Sequence, residues 1–304
     1  MRFALALFPG QGAQHPGMGA DLAEGSAAAR KIFDAASETA GFDVLAACRD
    51  SSPEELSRTE LSQIAIFTHS LAALAALEER GVAFEAAAGF SLGEYTALTA
   101  SGVLTLADGL KLVRRRGQLM QAAADAQDGC MAAVLGLPDA VVEDACKTAN
   151  GIVLPVNYNC PGQLVIAGER KAVDAAAEAC KAAGARRVMP LAVSGAFHTP
   201  LMAAAAAQLR EYAEGFSFRA PKIPVYSNLT GARLAADNLP AHFERHMVSP
   251  VRWTTLLQTA IADGFTSGCE IGPGKTLTGF ARKIDKAFSC TPVETLEQAE
   301  QAAK

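Results

Sequence analysis

The sequence predicts an α/β protein with a mostly parallel sheet and, inserted into it, a small ferredoxin-like domain of β-α-β-β-α-β order. Three observations predict this. Short apolar runs of strand length alternate with stretches of helical period. Between Cys130 and Leu191 that alternation breaks, and two strand-like runs, IVLPVNY and QLVIAG, follow each other directly. A serine flanked by glycines, GFSLG at 89–93, stands between an apolar run and a helical one, as at a tight strand-to-helix turn.

Taken in order, residues 3–8 read as a buried strand ended by the Gly/Pro-rich loop 9–19. Helical patterns follow at 26–40 and 63–80, the second with Ile66, Ser70, Ala73 and Leu77 on one face. A short strand at 86–89 feeds the serine turn, and 106–124 is another helix. In the insert, MAAVLG is a strand and 138–149 a helix. IVLPVNY and QLVIAG are then strands separated by 159–162, before a helix at 169–183 and a last strand at 186–191. The main body resumes with helices near 198–214, 243–248 and 253–263, and a strand at 268–271 runs into GPGKT. These boundaries assign 1–127 and 194–304 to a large α/β domain and 128–193 to a small one.

Composition narrows the function classes. Of 304 residues half are hydrophobic, and the formal net charge of −5 argues against nucleic acid or an anionic membrane as partner. Seven cysteines, odd in number and never spaced C-x-x-C, read as reduced thiols and not as a disulfide frame or zinc site. The opening MRFALALFPGQG is too short in its apolar part for a secretory signal, and no apolar run is read as membrane-spanning. A cytoplasmic protein is expected.

Gly89-Phe90-Ser91-Leu92-Gly93 fits G-x-S-x-G, a nucleophile elbow in which glycines two before and two after the serine remove clashing side chains. A serine hydroxyl needs a base. Of the histidines, His69 lies in an apolar helix and reads as packed, and His242 and His246, four apart, read as a solvated face. His198 follows the turn Ser194-Gly195-Ala196 and precedes a Thr-Pro helix start, which makes it the candidate base. Gly10-Gln11-Gly12 directly follows the first strand, so its amides could hold an oxyanion. It is no dinucleotide loop, because His15 occupies the third glycine position. GPGKT is no P-loop, because Cys269 stands where the first glycine is needed. In the helix at 106–124, Arg116 points about 40° from the mean apolar direction and Arg114 and Arg115 more than about 100° away. An inward guanidinium demands an anionic partner, either a protein carboxylate or a bound one.

These residues resemble the malonyl-CoA:acyl carrier protein transacylases of type II fatty acid synthesis. FPGQGAQ (8–14), GFSLGEYTAL (89–98), LVRRRGQLMQ (112–121), PVNYNCPGQLVIAG (155–168), SGAFHTPLM (194–202), SPVRW (249–253) and EIGPGKTLTG (270–279) are similar to its successive blocks, in order. The resemblance implies a hydrolase-like α/β core, Ser91 as acylated nucleophile, His198 as its base, Gln11 and Leu92 as oxyanion amides and Arg116 as the malonyl carboxylate binder. It also implies that a main-chain carbonyl, matched to His246, orients the histidine in place of an aspartate. His246 stands where the family commonly has glutamine, and Phe90 where it has histidine. Ala196-Phe197-His198 resembles the malonyl-selective form of its loop. Malonyl-CoA would be the substrate, acyl carrier protein the partner, with no tightly bound cofactor and no metal. Lys181, Arg186 and Arg187 are a candidate docking patch for an acidic carrier. The alternatives are the malonyl-transfer subunit of a malonate decarboxylase, and a serine hydrolase, which would give no reason for an inward Arg116.

Overall fold

The computed structural model describes residues 2–193 and 195–304. Ser194, assigned above to the turn before His198, lies outside them. In chain order the strands are β1 (Arg2–Phe8), β2 (Ala83–Gly89), β3 (Gly129–Leu135), β4 (Val153–Cys160), β5 (Gln163–Glu169), β6 (Arg187–Pro190), β7 (Val225–Tyr226), β8 (Ser267–Ile271) and β9 (Ser289–Val293). They form two sheets. One has the order β7-β2-β1-β8-β9 and every neighbouring pair in it is parallel. The other has the order β4-β5-β3-β6 with every pair antiparallel, which is the arrangement a β-α-β-β-α-β chain adopts.

Strands buried on both faces read as continuous apolar runs, and β1 is such a strand. Ala6 and Phe8 pack into one core cluster while Leu5 and Leu7 face another, with Trp253 and Leu257, across the sheet. The Thr59–Glu79 helix fills the first cluster. With 21 residues, and an 18-residue stretch of mean hydropathy 1.3, it is long and apolar enough to cross a membrane, which the sequence reading did not expect. Of that stretch 83% is buried within the protein, as in the central helix of a large core.

The antiparallel sheet is tied to the segment just before the Trp253–Ala262 helix. A register shift in β4 between Pro155 and Asn157 frees backbone from its own ladder. Val251 N–H then donates to Val156 O at 2.8 Å, and Tyr158 N–H donates to Val251 O at 3.0 Å.

Several predicted boundaries move. Only Pro161 and Gly162 separate β4 from β5. The helix expected at 243–248 starts at Leu239, because the Asn238 side chain caps it at Ala241 N–H and a proline sits in its first turn. His198 is not helical: a 3-10 turn at Pro200–Met202, capped by Thr199, leads into the Ala203–Ala213 helix. The helices Ala20–Gly25, Val44–Asp50 and Pro53–Ser57 escaped the sequence reading, since five to seven residues carry too few turns to display a period.

Candidate active site

The serine turn is a steric construction. Ser91 ends the link from β2 to the Leu92–Ala100 helix with φ 50° and ψ −101°, and its side chain caps nothing. A Cβ on Gly89 would lie 1.9 Å from the Gly93 carbonyl, and one on Gly93 would lie 2.1 Å from Phe8 O. Neither obstacle is a movable side chain. Glycine is therefore required at both positions by close backbone approach.

His198 is buried and also adopts a left-handed backbone, φ 62°. Its Nε2 lies 2.8 Å from Ser91 Oγ. Its Nδ1 lies 3.1 Å from His246 O and 3.0 Å from Ser249 O. Carbonyl oxygens only accept, so Nδ1 carries the proton and Nε2 presents its lone pair to the serine O–H. Burial, then the nearby Arg116 charge, push the His198 pKa down to about 4, so the ring is neutral and basic at Nε2 near pH 7. Two carbonyls thus stand where many serine sites place a carboxylate. The carbonyl of Ser249 was not foreseen, because every residue has a carbonyl and sequence cannot say which ones converge.

Arg116 is fully buried on the inward face of the Leu106–Asp125 helix. Its Nη2 donates to Ser91 Oγ at 3.1 Å, its Nη1 donates to Gln63 Oε1, and its guanidinium lies 5.0 Å from the Tyr95 ring centroid. Its Nε has no partner. Among the described residues no carboxylate pairs with it at 4 Å or less. Gly117 permits the geometry: a Cβ there would meet Glu60 Cα at 3.1 Å and Gln63 Cβ at 3.2 Å, so the two helices cross with Arg116 against Gln63. Gln63 was missed by the sequence reading. Its signal was a lone primary amide within an apolar helix.

Gln63 also donates to Gln11 Oε1 at 3.2 Å, and Gln11 Nε2 donates to Thr59 Oγ1 at 3.1 Å, which anchors the loop after β1. Leu92 is wholly buried, and its N–H, first in its helix, has no acceptor within that helix. The Ser91 N–H is occupied, donating to Asn228 Oδ1 at 2.6 Å. A cavity of about 70 Å³ opens at Ser91 between Gln11, Phe90, Met120, Phe197 and His198. It shares Gln11, Phe90, Asn157 and Leu191 with a cleft of about 190 Å³ that reaches the Thr276–Ile284 helix.

The expected solvated face at His242 and His246 is not there. His246 is buried, its ring 5.7 Å from that of His198, and His242 Nε2 is bonded to the buried Glu94 at 2.5 Å. The helix turns both rings toward the elbow, a direction that their four-residue spacing leaves open. Among the described residues no group of three or more His, Cys, Asp or Glu could hold a metal ion. Lys181, Arg186 and Arg187 are all exposed, and Lys181 is paired with Glu178 at 2.7 Å.

A serine hydroxyl in contact with both a neutral imidazole and an unpaired guanidinium, at the edge of an α/β core, defines an acyl-transferring protein. The chain matches the acyl transferase domain family over residues 6–299. It is 40% identical over 296 residues to a malonyl CoA-acyl carrier protein transacylase of Staphylococcus aureus (strain MSSA476), covering 96% of this chain and 95% of that one. It is 39% identical to the enzyme of that name from Bacillus subtilis (strain 168), covering 98% and 96%. The chain belongs to the malonyl CoA-acyl carrier protein transacylase family. Solved structures agree. A malonyl-CoA:acyl carrier protein transacylase from Xanthomonas oryzae superposes with a TM-score of 0.94 at 43% identity, covering 99% of this chain and 97% of that one. A malonyl-transacylase in complex with its type II polyketide acyl-carrier protein superposes with a TM-score of 0.95 at 39% identity, covering 99% of both chains.

Proposed function

We propose that this enzyme moves a malonyl group from malonyl-CoA to the phosphopantetheine thiol of acyl carrier protein, through a malonyl ester on Ser91, and so supplies fatty acid elongation. The observation that carries the malonyl assignment is Arg116, a buried guanidinium in contact with Ser91 Oγ and without a carboxylate within 4 Å among the described residues. The buried Glu94 acts on this guanidinium only as a charge without direct contact, and an anionic acyl group would pair with it directly. A hydrolase acting on neutral esters would have no use for that charge.

The chemistry runs in two halves. Ser91 Oγ gives its proton to His198 Nε2 as it attacks the thioester carbonyl. The oxyanion is held by the main-chain N–H groups of Gln11 and Leu92, each such donor contributing about 10²–10³ in rate in comparable sites. Collapse breaks the carbon–sulfur bond, and CoA leaves as the thiol with the proton from His198. The carrier thiol then gives its proton to His198 and attacks the ester, and Ser91 Oγ recovers the proton as it departs. Throughout, the His246 and Ser249 carbonyls hold the Nδ1–H and fix the ring. Arg116 makes a charge-assisted, two-point contact with the malonyl carboxylate.

The reading uses no tightly bound cofactor and no metal. Residues 128–193 are taken as a small domain set into a catalytic domain of 1–127 and 194–304. Seven free thiols support a reducing, cytoplasmic location. Intact mass spectrometry after mixing with malonyl-CoA tests the whole reading. Ser91 should gain one malonyl group, Ser91→Ala none, and added holo carrier should discharge the ester. Release of free malonate in place of malonyl carrier would make the protein a hydrolase.

A further inference from the structure

The bent backbone at Ser91 is closed locally by the Gly93 N–H donating to Phe90 O at 2.9 Å and the Glu94 N–H donating to Ser91 O at 3.1 Å, while the serine side chain caps nothing. A distant segment fastens the two peptide groups that those bonds leave open. Asn228, just past β7, is fully buried, and its side chain spans the turn. Its Oδ1 accepts the Ser91 N–H at 2.6 Å and its Nδ2 donates to Gly89 O at 2.6 Å. The two peptide groups flanking Phe90 are thereby clamped by one amide.

Asn228 is itself held through its main chain. Its N–H donates to Glu94 Oε2 at 2.6 Å, and its carbonyl accepts the Arg252 N–H at 3.0 Å. Glu94 lies one turn into the helix that Ser91 starts, and its other oxygen is bonded to His242 Nε2 at 2.5 Å. His242 stands on the Leu239–Met247 helix, which also carries the His246 carbonyl that holds His198. Arg252 lies three residues after Ser249, whose carbonyl is the second acceptor for His198. One buried carboxylate and one buried amide therefore join the element that carries the nucleophile to both segments that aim the base. Neither group touches the reacting atoms.

We infer that Asn228 and Glu94 are positioning residues for the acyl transfer. Asn228 holds the elbow of Ser91, and Glu94 sets the distance between that elbow and the carbonyls that orient His198. A nucleophile and base displaced by about an ångström lose on the order of 10² in rate without losing the substrate site. Arg116, Gln63 and Gln11 make no hydrogen bond to Asn228 or Glu94, and Glu94 reaches Arg116 only as a charge, so malonyl-CoA affinity is expected to survive the loss of Asn228 and the neutral-for-neutral comparison of Glu94→Gln with Glu94→Ala.

The inference rests on Ser91 and His198 as nucleophile and base. Single-turnover malonylation of Ser91, followed by rapid quench and intact mass, separates the two. Asn228→Ala should slow acylation at saturating malonyl-CoA by about 10², with the concentration dependence unchanged. Asn228→Ser, which keeps an acceptor for the Ser91 N–H, should fall between it and the parent. Glu94→Gln can still accept from Asn228 and donate to the other tautomer of His242, so it should acylate at least tenfold faster than Glu94→Ala. If the alanine variants do not fold, the Asn228→Ser rate decides the question, because that change removes the contact to Gly89 O. The inference is overturned if Asn228→Ala, Asn228→Ser and Glu94→Ala acylate within about twofold of the parent, or if they lose malonyl-CoA affinity and keep the saturated rate. Malonylation persisting in Ser91→Ala would instead remove the nucleophile assignment beneath it.

Discussion

Ser91 and His198 are the only non-glycine residues of the described chain with positive φ, at 50° and 62°, and their side chains meet at 2.8 Å. Each such backbone costs on the order of 1–3 kcal/mol. The two strained positions are the two ends of one hydrogen bond. The surrounding structure holds both residues against their local preference, and what that secures is an Oγ–Nε2 contact.

Gly93→Ala tests the steric half of the elbow. The new Cβ would stand 2.1 Å from Phe8 O and 2.9 Å from Pro9 O, both backbone atoms of the strand end and its loop. Overpacking of this kind costs roughly 1–3 kcal/mol. A lower Tm is expected together with loss of Ser91 malonylation. Parent-like values of both would show that the strand and helix have room to separate.

Arg116→Ala should cut kcat/KM for malonyl transfer by roughly 10²-fold, as expected when a buried charge-assisted contact is lost. Acetyl transfer, which never used that contact, should change far less, so the preference for malonyl narrows or reverses. Unchanged selectivity between malonyl-CoA and acetyl-CoA would end the carboxylate role. Gln63→Leu should weaken malonyl selection in the same direction but less, since it removes only the support of Arg116 Nη1.

The pH profile has a worked sign. The proposed base role requires a neutral His198, whose pKa is lowered to about 4. Plots of kcat/KM for malonyl-CoA should therefore stay flat as pH falls through the usual histidine range, and decline only near pH 4. Part of that depression comes from the Arg116 charge, so in Arg116→Gln the acid limb of the residual activity should move to higher pH. A parent limb near pH 6.5 would contradict this electrostatic picture.

Stability should follow the same groups. His69 and His198 have pKa values lowered to about 4, and His246 lies well below its ordinary value, all chiefly through burial. Between pH 6.5 and 4 the unfolded chain binds protons at these sites that the folded protein does not. Stability is then present above pH 6.5 and is lost as pH falls through that window. Denaturant midpoints measured from pH 7.5 to 4.5 should drop steadily, and a flat series would contradict it.

Charge reversal at Arg186 or Arg187 should raise KM for the carrier while leaving that for malonyl-CoA unchanged. Lys181→Glu should do less, because Lys181 is already paired with Glu178. Equal effects on both substrates would remove the docking patch.

Much of this molecule was legible in the residues alone. The alternation of apolar runs gave the parallel sheet, two adjacent strands inside it gave the insert, and Gly89 and Gly93 marked the serine turn. Arg116 was separable from Arg114 and Arg115 by helical angle, because a regular helix turns sequence position into direction. What stayed hidden was carried by contacts between distant segments. His242 and His246 read as a wet surface because their spacing fixes their common face but not what lies against it. Asn228, Gln63 and the Ser249 carbonyl bear no motif, and each acts through a partner dozens of residues away.

Local sequence therefore determined the periodic elements, the sharp serine turn and the inward arginine, since backbone sterics and helical geometry act over a few residues. Only the tertiary structure decided which carbonyls hold His198, which amide clamps Ser91 and whether a carboxylate answers Arg116. Hydrogen bonds and ion pairs at about 3 Å depend on how whole elements pack, and the order of residues along the chain does not encode that distance locally.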